Sequence, residues 1–424
     1  MNVKMEKQMI PSSRALRAPG ATAVDVQANT ASHLFFVDNI RVLLTVLVLL
    51  FHLMIIYAGT GSWQYTEGRQ DSITSVVGAW FVAVNQAYFM GLFLLVSAYF
   101  VPGSYDRKGA GRFLKDRLIR LGIPLAVYSW LIDPLFGYGR QALSGGPRLP
   151  LWGAYAHQFR YGTLLGPGPL WFVETLLIFS AVYVVWRLLV GSRPAKATVE
   201  TRFPGNGFIA LLALLLGVAG FLVRLWLPIG WSFVPLNLQF PFFAQSIVLF
   251  CLGLIAYRRN WLQSLPEATG RFWLRVAIVL ILLFPPLALA GGSPEPFAGG
   301  WHWQAFAYAL WESFPPAPFA GGWHWHAFAL ALWESFLCLA MCIGLVHLFR
   351  RHWDRQGSLA RFLSPNAYTA YLIHGPIITA IALAARDVML YPLLKWGLAA
   401  LVAVPLCFVL SSLIRKLPYT DRVL

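Results

Sequence analysis

The chain has 424 residues, 58% of them hydrophobic and 12% charged, far below the roughly 25% charged content of a soluble domain; a soluble globular protein is excluded. Its 33 Lys and Arg against 17 Asp and Glu give a net charge of +16, which on a polytopic chain reads as membrane topology and not as a nucleic-acid surface. The four cysteines, Cys251, Cys338, Cys342 and Cys407, all lie in apolar runs and read as small core residues, with no disulfide framework and no metal site.

Residues 1–33 carry Lys4, Lys7, Arg14 and Arg17 without a continuous apolar core. They do not make a signal peptide and read as a disordered cytoplasmic tail. The first long apolar stretch follows, FFVDNIRVLLTVLVLLFHLMIIYAG over 35–59. It exceeds the about 20 residues that a bilayer-spanning helix needs. Arg41 and His52 interrupt it, eleven residues apart. That spacing is about three turns and roughly 16 Å of rise, and it returns both side chains to one face. Ionisable groups at membrane depth are costly and usually face a bundle interior or a wet cavity. The plain alternative is an Arg41 that snorkels to the headgroups and a His52 that is hydrogen-bonded packing; the shared face favours function.

Ten apolar spans can be drawn, at about 36–58, 76–101, 121–137, 168–190, 207–227, 240–257, 272–290, 325–349, 366–385 and 392–414. The expected fold is all-α, a polytopic membrane helix bundle with about ten transmembrane helices. Basic residues collect in the tail, in 102–120, 187–206, 258–275, 350–361 and 415–424; the intervening connections hold only Arg69, Arg140, Arg148, Arg160 and Arg386. This alternation puts both termini in the cytoplasm, Arg41 near the inner leaflet and His52 toward the outer half. Asp133-Pro134 suggests a broken or tilted third span, and the long 139–167 connection an outer vestibule. Residues 34–424 read as a single transmembrane domain.

One tandem repeat stands out. Pro296 to Phe314 (PFAGGWHWQAFAYALWESF) recurs as Pro318 to Phe336, offset by 22 residues. Two copies do not make a solenoid. The second copy should open the eighth span, leaving the first as an outer-face insertion within 295–336. His302, His324 and His326 look like a metal cluster, but their spacing follows from the repeat, and no metal is expected.

Several further residues carry possible chemistry. Arg117 and Arg120 are three apart on one helical face, with Arg112 and Lys115 nearby. Guanidinium forks suit phosphate groups; ordinary topological charge is the alternative. Glu174 lies one turn into an apolar helix, three residues after Trp171, where the helix dipole can help it. Asn85 and Gln86 fall inside the second span and can hydrogen-bond across the bundle. SPNAYTAYLIHGPII offers a helix start at Asn366, then His374 just before a Gly375-Pro376 kink. Asn85, Glu174 and His374 each read equally as structural glue or as the wall of a site. There is no P-loop, dinucleotide turn, G-x-S-x-G elbow or zinc spacing, so nucleotide hydrolysis, redox chemistry and serine hydrolysis are disfavoured.

Taken in order, Arg41-x10-His52, NQAYFMGLFLLVSAYF, DRLIRLGIP with Arg117-x-x-Arg120, GPLWF with Glu174, and SPNAYTAYLIH resemble the membrane acyltransferase-3 family, which includes O-antigen acetylases and glucan-modifying members. The resemblance covers the chain from about Phe36 to the last span. It implies a ten-helix core in the cell inner membrane. The implied reaction is acyl transfer, acetyl or succinyl, from cytoplasmic acyl-coenzyme A as co-substrate to a carbohydrate at the outer face. By resemblance His52 is the catalytic base, Arg41 its partner and Glu174 a further catalytic residue. Arg117 and Arg120, with Arg112 and Lys115, hold the coenzyme A phosphates, and Asn85, Trp171 and His374 line the acceptor site. The 22-residue duplication departs from the family pattern, and no fused outer hydrolase-like domain is seen. The competing reading is an exporter of a polar solute with Arg41, His52 and Glu174 as relay groups; a membrane scaffold or sensor is the third. The sequence leaves the acyl group, the acceptor and the oligomeric state open.

Overall fold

The computed structural model describes residues 33–59, 61, 63–67, 71–143, 150, 152–153, 155–156, 168–191, 202–233, 236–290, 323, 325–418, 420 and 423–424, with the backbone alone at 72, 139–143, 285–290 and 326. The amino-terminal tail, most of the 139–167 connection, the first repeat copy, His302 and His324 lie outside the described residues. Two units separate, Met1–Leu34 and Phe35–Leu424; the helices belong to the second.

Every element among the described residues is helical. They are α1 (Phe35–Ala58), α2 (Ser72–Tyr99), α3 (Val101–Arg117), α4 (Ile123–Val127), α5 (Asp133–Leu143), α6 (Trp171–Val190), α7 (Asn206–Arg224), α8 (Phe243–Arg258), α9 (Trp261–Ser264), α10 (Glu267–Ala290), α11 (Trp325–His352), α12 (Ser358–Ala384) and α13 (Pro392–Ile414). Among the described residues nine helices are long and apolar enough to cross a membrane. This is the all-α membrane bundle that the apolar runs foretell. The remaining apolar run, 272–290, lies in α10, a helix of 24 residues. Glu267, Arg271 and Arg275 lie near its start.

The core sits around α1, which packs on α2, α11, α12 and α13. Phe36, Val37, Ile40, Leu44, Val48 and Leu49 are all buried, the three- and four-residue spacing of a helix with neighbours. Its first turn is held from the α11–α12 corner. The Phe36 amide donates to Asp354 Oδ1 (3.1 Å), and Asn39 Nδ2 donates to the Trp353 carbonyl (2.7 Å). After α1 the chain folds back onto the bundle. Glu67 pairs with the buried Lys395 of α13 (2.5 Å), and Gln64 Nε2 donates to Asp133 Oδ1 (2.9 Å). The membrane-buried cation is thereby matched by a carboxylate, as its desolvation requires.

Three expectations are corrected. The third span is not broken. From Val101 the chain stays helical to Leu143, except at Gly109 (φ 73°, ψ 169°), a backbone state that suits glycine. Wide π-type turns at Leu118–Gly122 and Tyr128–Ile132 precede Pro124 and Pro134. Proline has no N–H to give to the carbonyl four residues back; the Arg120 carbonyl left over by Pro124 instead accepts from Tyr368 Oη (2.6 Å). The helix expected to begin at Asn366 starts at Ser358 and continues through Pro365 and Pro376. There Asn366 Nδ2 donates to the Phe362 carbonyl (2.7 Å) and Ser411 Oγ of α13 to the Asn366 carbonyl (2.8 Å). Finally, Cys251 is exposed on α8, whereas Cys338, Cys342 and Cys407 are buried.

Helices α2 and α8 touch through a glycine. A Cβ at Gly253 would overlap the Leu95 carbonyl and crowd Ala98 Cβ, the small-residue contact typical of membrane interfaces. Backbone cannot give way as a side-chain tip can. Gly253→Ala is therefore expected to cost about 1–3 kcal/mol by overpacking, read as a lowered unfolding midpoint of the detergent-purified protein.

Candidate active site

Two polar seams face each other inside the bundle. On α1 the seam runs Arg41, Thr45, His52; on α12 it runs Tyr368, Tyr371, His374. Thr45 Oγ1 ties the first to the second through the Ala367 carbonyl (3.5 Å). At one end of the seams His52 Nδ1 lies 3.0 Å from His374 Nε2. The two rings stack at 24° with centroids 5.0 Å apart. Trp63, from the connection after α1, covers His52 at 4.3 Å and 32°. Its indole Nε1 donates to Thr379 Oγ1 (3.0 Å), which in turn donates to the Gly375 carbonyl (2.9 Å).

His374 is seated from below. Its Nδ1 is 2.5 Å from the Tyr371 carbonyl, and Tyr371 Oη donates to the Pro169 carbonyl (2.5 Å). Phe93 and Phe172 pack their rings on Tyr371 at 6.2 and 6.0 Å. Gly375 matters here: a Cβ would come within 3.1 Å of Tyr128 Oη and 3.2 Å of Pro169 Cγ, so a larger residue would push α12 away from this corner.

At the other end the cations gather. The Arg41 guanidinium pairs with Asp38 Oδ1 (3.3 Å) and lies 4.8 Å over the Phe100 ring. Arg117 stacks on Phe113 (5.2 Å) and stands within electrostatic reach of Arg41, Arg120 and Tyr368. Arg41 and His52 both keep accessible surface. Along α1 the two ends are eleven residues apart, roughly 16 Å.

The structure thus joins His52 to His374 and sets Arg41 and the exposed Arg120 each within electrostatic reach of Arg117. Arg112 and Lys115 are exposed on α3. Trp171 is half-buried, its carbonyl accepting from Thr175 Oγ1 (2.9 Å). Glu174 is buried on α6, and neither carboxylate oxygen has a hydrogen-bond partner among the described residues. Asn85 corrects the expectation of a cross-bundle bond. It donates to the Phe81 carbonyl (2.8 Å) and accepts from Tyr88 Oη (3.2 Å), both in its own helix. Among the described residues no three His, Cys, Asp or Glu side chains converge as for a metal. Sequence reasoning missed Tyr368 and Tyr371, although their three-residue spacing to His374 was available. It also missed Trp63, in a connection without periodicity.

A bundle of membrane-crossing helices, with a histidine pair between α1 and α12 and arginines toward the other end of α1, defines a polytopic membrane protein. The family model of an acyltransferase domain matches residues 34–412, and the chain belongs to that acyltransferase family. It is similar to glucans biosynthesis protein C of Salmonella heidelberg (strain SL476), of Salmonella schwarzengrund (strain CVM19633) and of Salmonella typhi. Each is 26% identical over 239 residues, which is 53% of this chain and 58% of the relative. The match therefore spans somewhat over half the length of these relatives.

Proposed function

We propose that the protein is an integral-membrane O-acyltransferase of the cell inner membrane, moving an acetyl or succinyl group from cytoplasmic acyl-coenzyme A to a hydroxyl of an extracytoplasmic carbohydrate. The observation that carries this reading is the pairing of His52 with His374 at one end of a polar seam whose other end holds Arg41, Arg117 and Arg120. The distribution of Lys and Arg favours a cytoplasmic arginine end, the side on which acyl-coenzyme A is made. The relatives' name, with its glucans, favours a glucan acceptor.

In this reading the arginines receive the nucleotide phosphates, which guanidinium groups bind well. Exposed Arg112 and Lys115 extend that basic surface. The thin pantetheine arm passes up the seam. His52 takes the proton of the acceptor hydroxyl as its oxygen attacks the thioester carbonyl. The C–S bond breaks, the proton goes to the departing sulfur, and the products are a carbohydrate ester and free coenzyme A. Glu174, Trp171 and Asn85 belong to the walls around this path.

Mass spectrometry of envelope carbohydrate from cells with and without the protein tests the reading. A mass increment of one acyl group, present only with the protein, is expected. Identical spectra would overturn it, and flux of a polar solute in vesicles without any acyl donor would favour an exporter instead.

A further inference from the structure

We infer that His374 is the positioning residue that fixes the tautomer of His52 and so makes His52 Nε2 the atom that takes the hydroxyl proton; this rests on His52 being the base.

The argument starts from a carbonyl. The Tyr371 oxygen can only accept, and His374 Nδ1 lies 2.5 Å from it, so Nδ1 carries the hydrogen. A neutral imidazole has one donor and one acceptor nitrogen; His374 Nε2 is therefore the acceptor. It sits 3.0 Å from His52 Nδ1, and only a hydrogen on His52 Nδ1 completes that bond. His52 Nε2 is left with its lone pair.

This selection has work to do, because free histidine favours the opposite tautomer, with the hydrogen on Nε2 and no lone pair there. The rings are also held against flipping. Trp63 covers His52, and Tyr371 is anchored through Pro169. When His52 Nε2 takes a proton, the Nδ1–H bond to His374 remains in place, and the new positive charge faces the lone pair of His374. His374 touches no reacting atom in this scheme. It acts through His52.

The experiment uses the full-length protein with 15N-labelled histidine, in lipid, at a pH where both rings are neutral. Two-bond proton–nitrogen correlations identify the His52 tautomer, the His52 signals being those lost in His52→Asn. A protonated Nδ1 and a bare Nε2 are expected; a protonated Nε2 would overturn the inference. Two variants add a kinetic reading. His374→Gln places an amide oxygen near the Nε2 position and should keep most of the activity. His374→Leu removes the acceptor, and kcat should fall about tenfold to a hundredfold, a part of what general-base catalysis supplies, with both KM values unchanged. Unchanged kcat in His374→Leu also overturns the inference. If His374→Leu does not fold, the wild-type spectrum alone decides. Full transfer by a His52 variant would overturn the base assignment instead, leaving the tautomer measurement intact.

Discussion

Replacing His52 with alanine is expected to abolish acyl transfer while folded protein remains in the membrane. A positioned general base contributes roughly 10²–10⁴ in rate, and this variant removes the ring that carries the proposed one. The structural cost is smaller. Losing the His52 ring leaves His374 Nε2 without its partner, about 1–3 kcal/mol for an unsatisfied buried group. His52→Asn separates the two effects. An asparagine amide can stand near the Nδ1 position and still donate to His374, but it cannot take a proton. Both variants should be inactive, and the asparagine variant should unfold close to the parent. Free coenzyme A thiol released on mixing with acyl-coenzyme A and glucan is the readout, with size-exclusion behaviour as the folding control. Turnover retained by either variant would remove His52 from the reaction.

What the sequence makes legible follows from periodicity. Arg41 and His52 share a face because eleven residues return a helix nearly to its starting angle, and His52 finds a polar partner in His374 of α12. Arg117 and Arg120 share a face of their own helix by the same periodicity. Partners across the bundle are another matter. His374 lies 322 residues from His52, and nothing in either helix's own pattern marks the other as its neighbour. Trp63 sits in a connection where no repeat of polar and apolar positions points anywhere. Asn85 reads as a cross-bundle donor only because its own helix's carbonyl and Tyr88 cannot be weighed from composition.

Proline misleads in a specific way. The rule that it breaks a helix assumes a fixed four-residue hydrogen-bond ladder. Here the ladder widens by one residue before Pro124 and before Pro134. The stranded Arg120 carbonyl finds Tyr368 from a distant helix. That same tyrosine stands among the arginines, so the device that keeps the third span helical also ties it to the candidate site. A tertiary donor of this kind has no signature in the local sequence.

The tandem repeat leads to the second large effect, on stability. Its second copy enters α11, where Trp333 Nε1 donates to the Leu280 carbonyl (2.8 Å) and Glu334 meets Arg224 of α7 at 2.6 Å. Arg224 is 3% exposed and Glu334 8%, so the pair is dry. The Arg224 guanidinium also lies 5.2 Å over the Phe242 ring, with Nε 3.4 Å from the Pro241 carbonyl. Arg224→Met is expected to destabilise the fold by about 3–5 kcal/mol, because it leaves a buried carboxylate without its cation. The double variant Arg224→Met with Glu334→Leu should recover most of that loss, since a buried pair exchanged whole for apolar side chains is often neutral or better. Unfolding midpoints of the four proteins in one detergent give the coupling directly. If the double variant falls as far as the sum of the two single ones, the pair is not what joins α7 to α11, and the apolar packing along these helices would have to hold them alone.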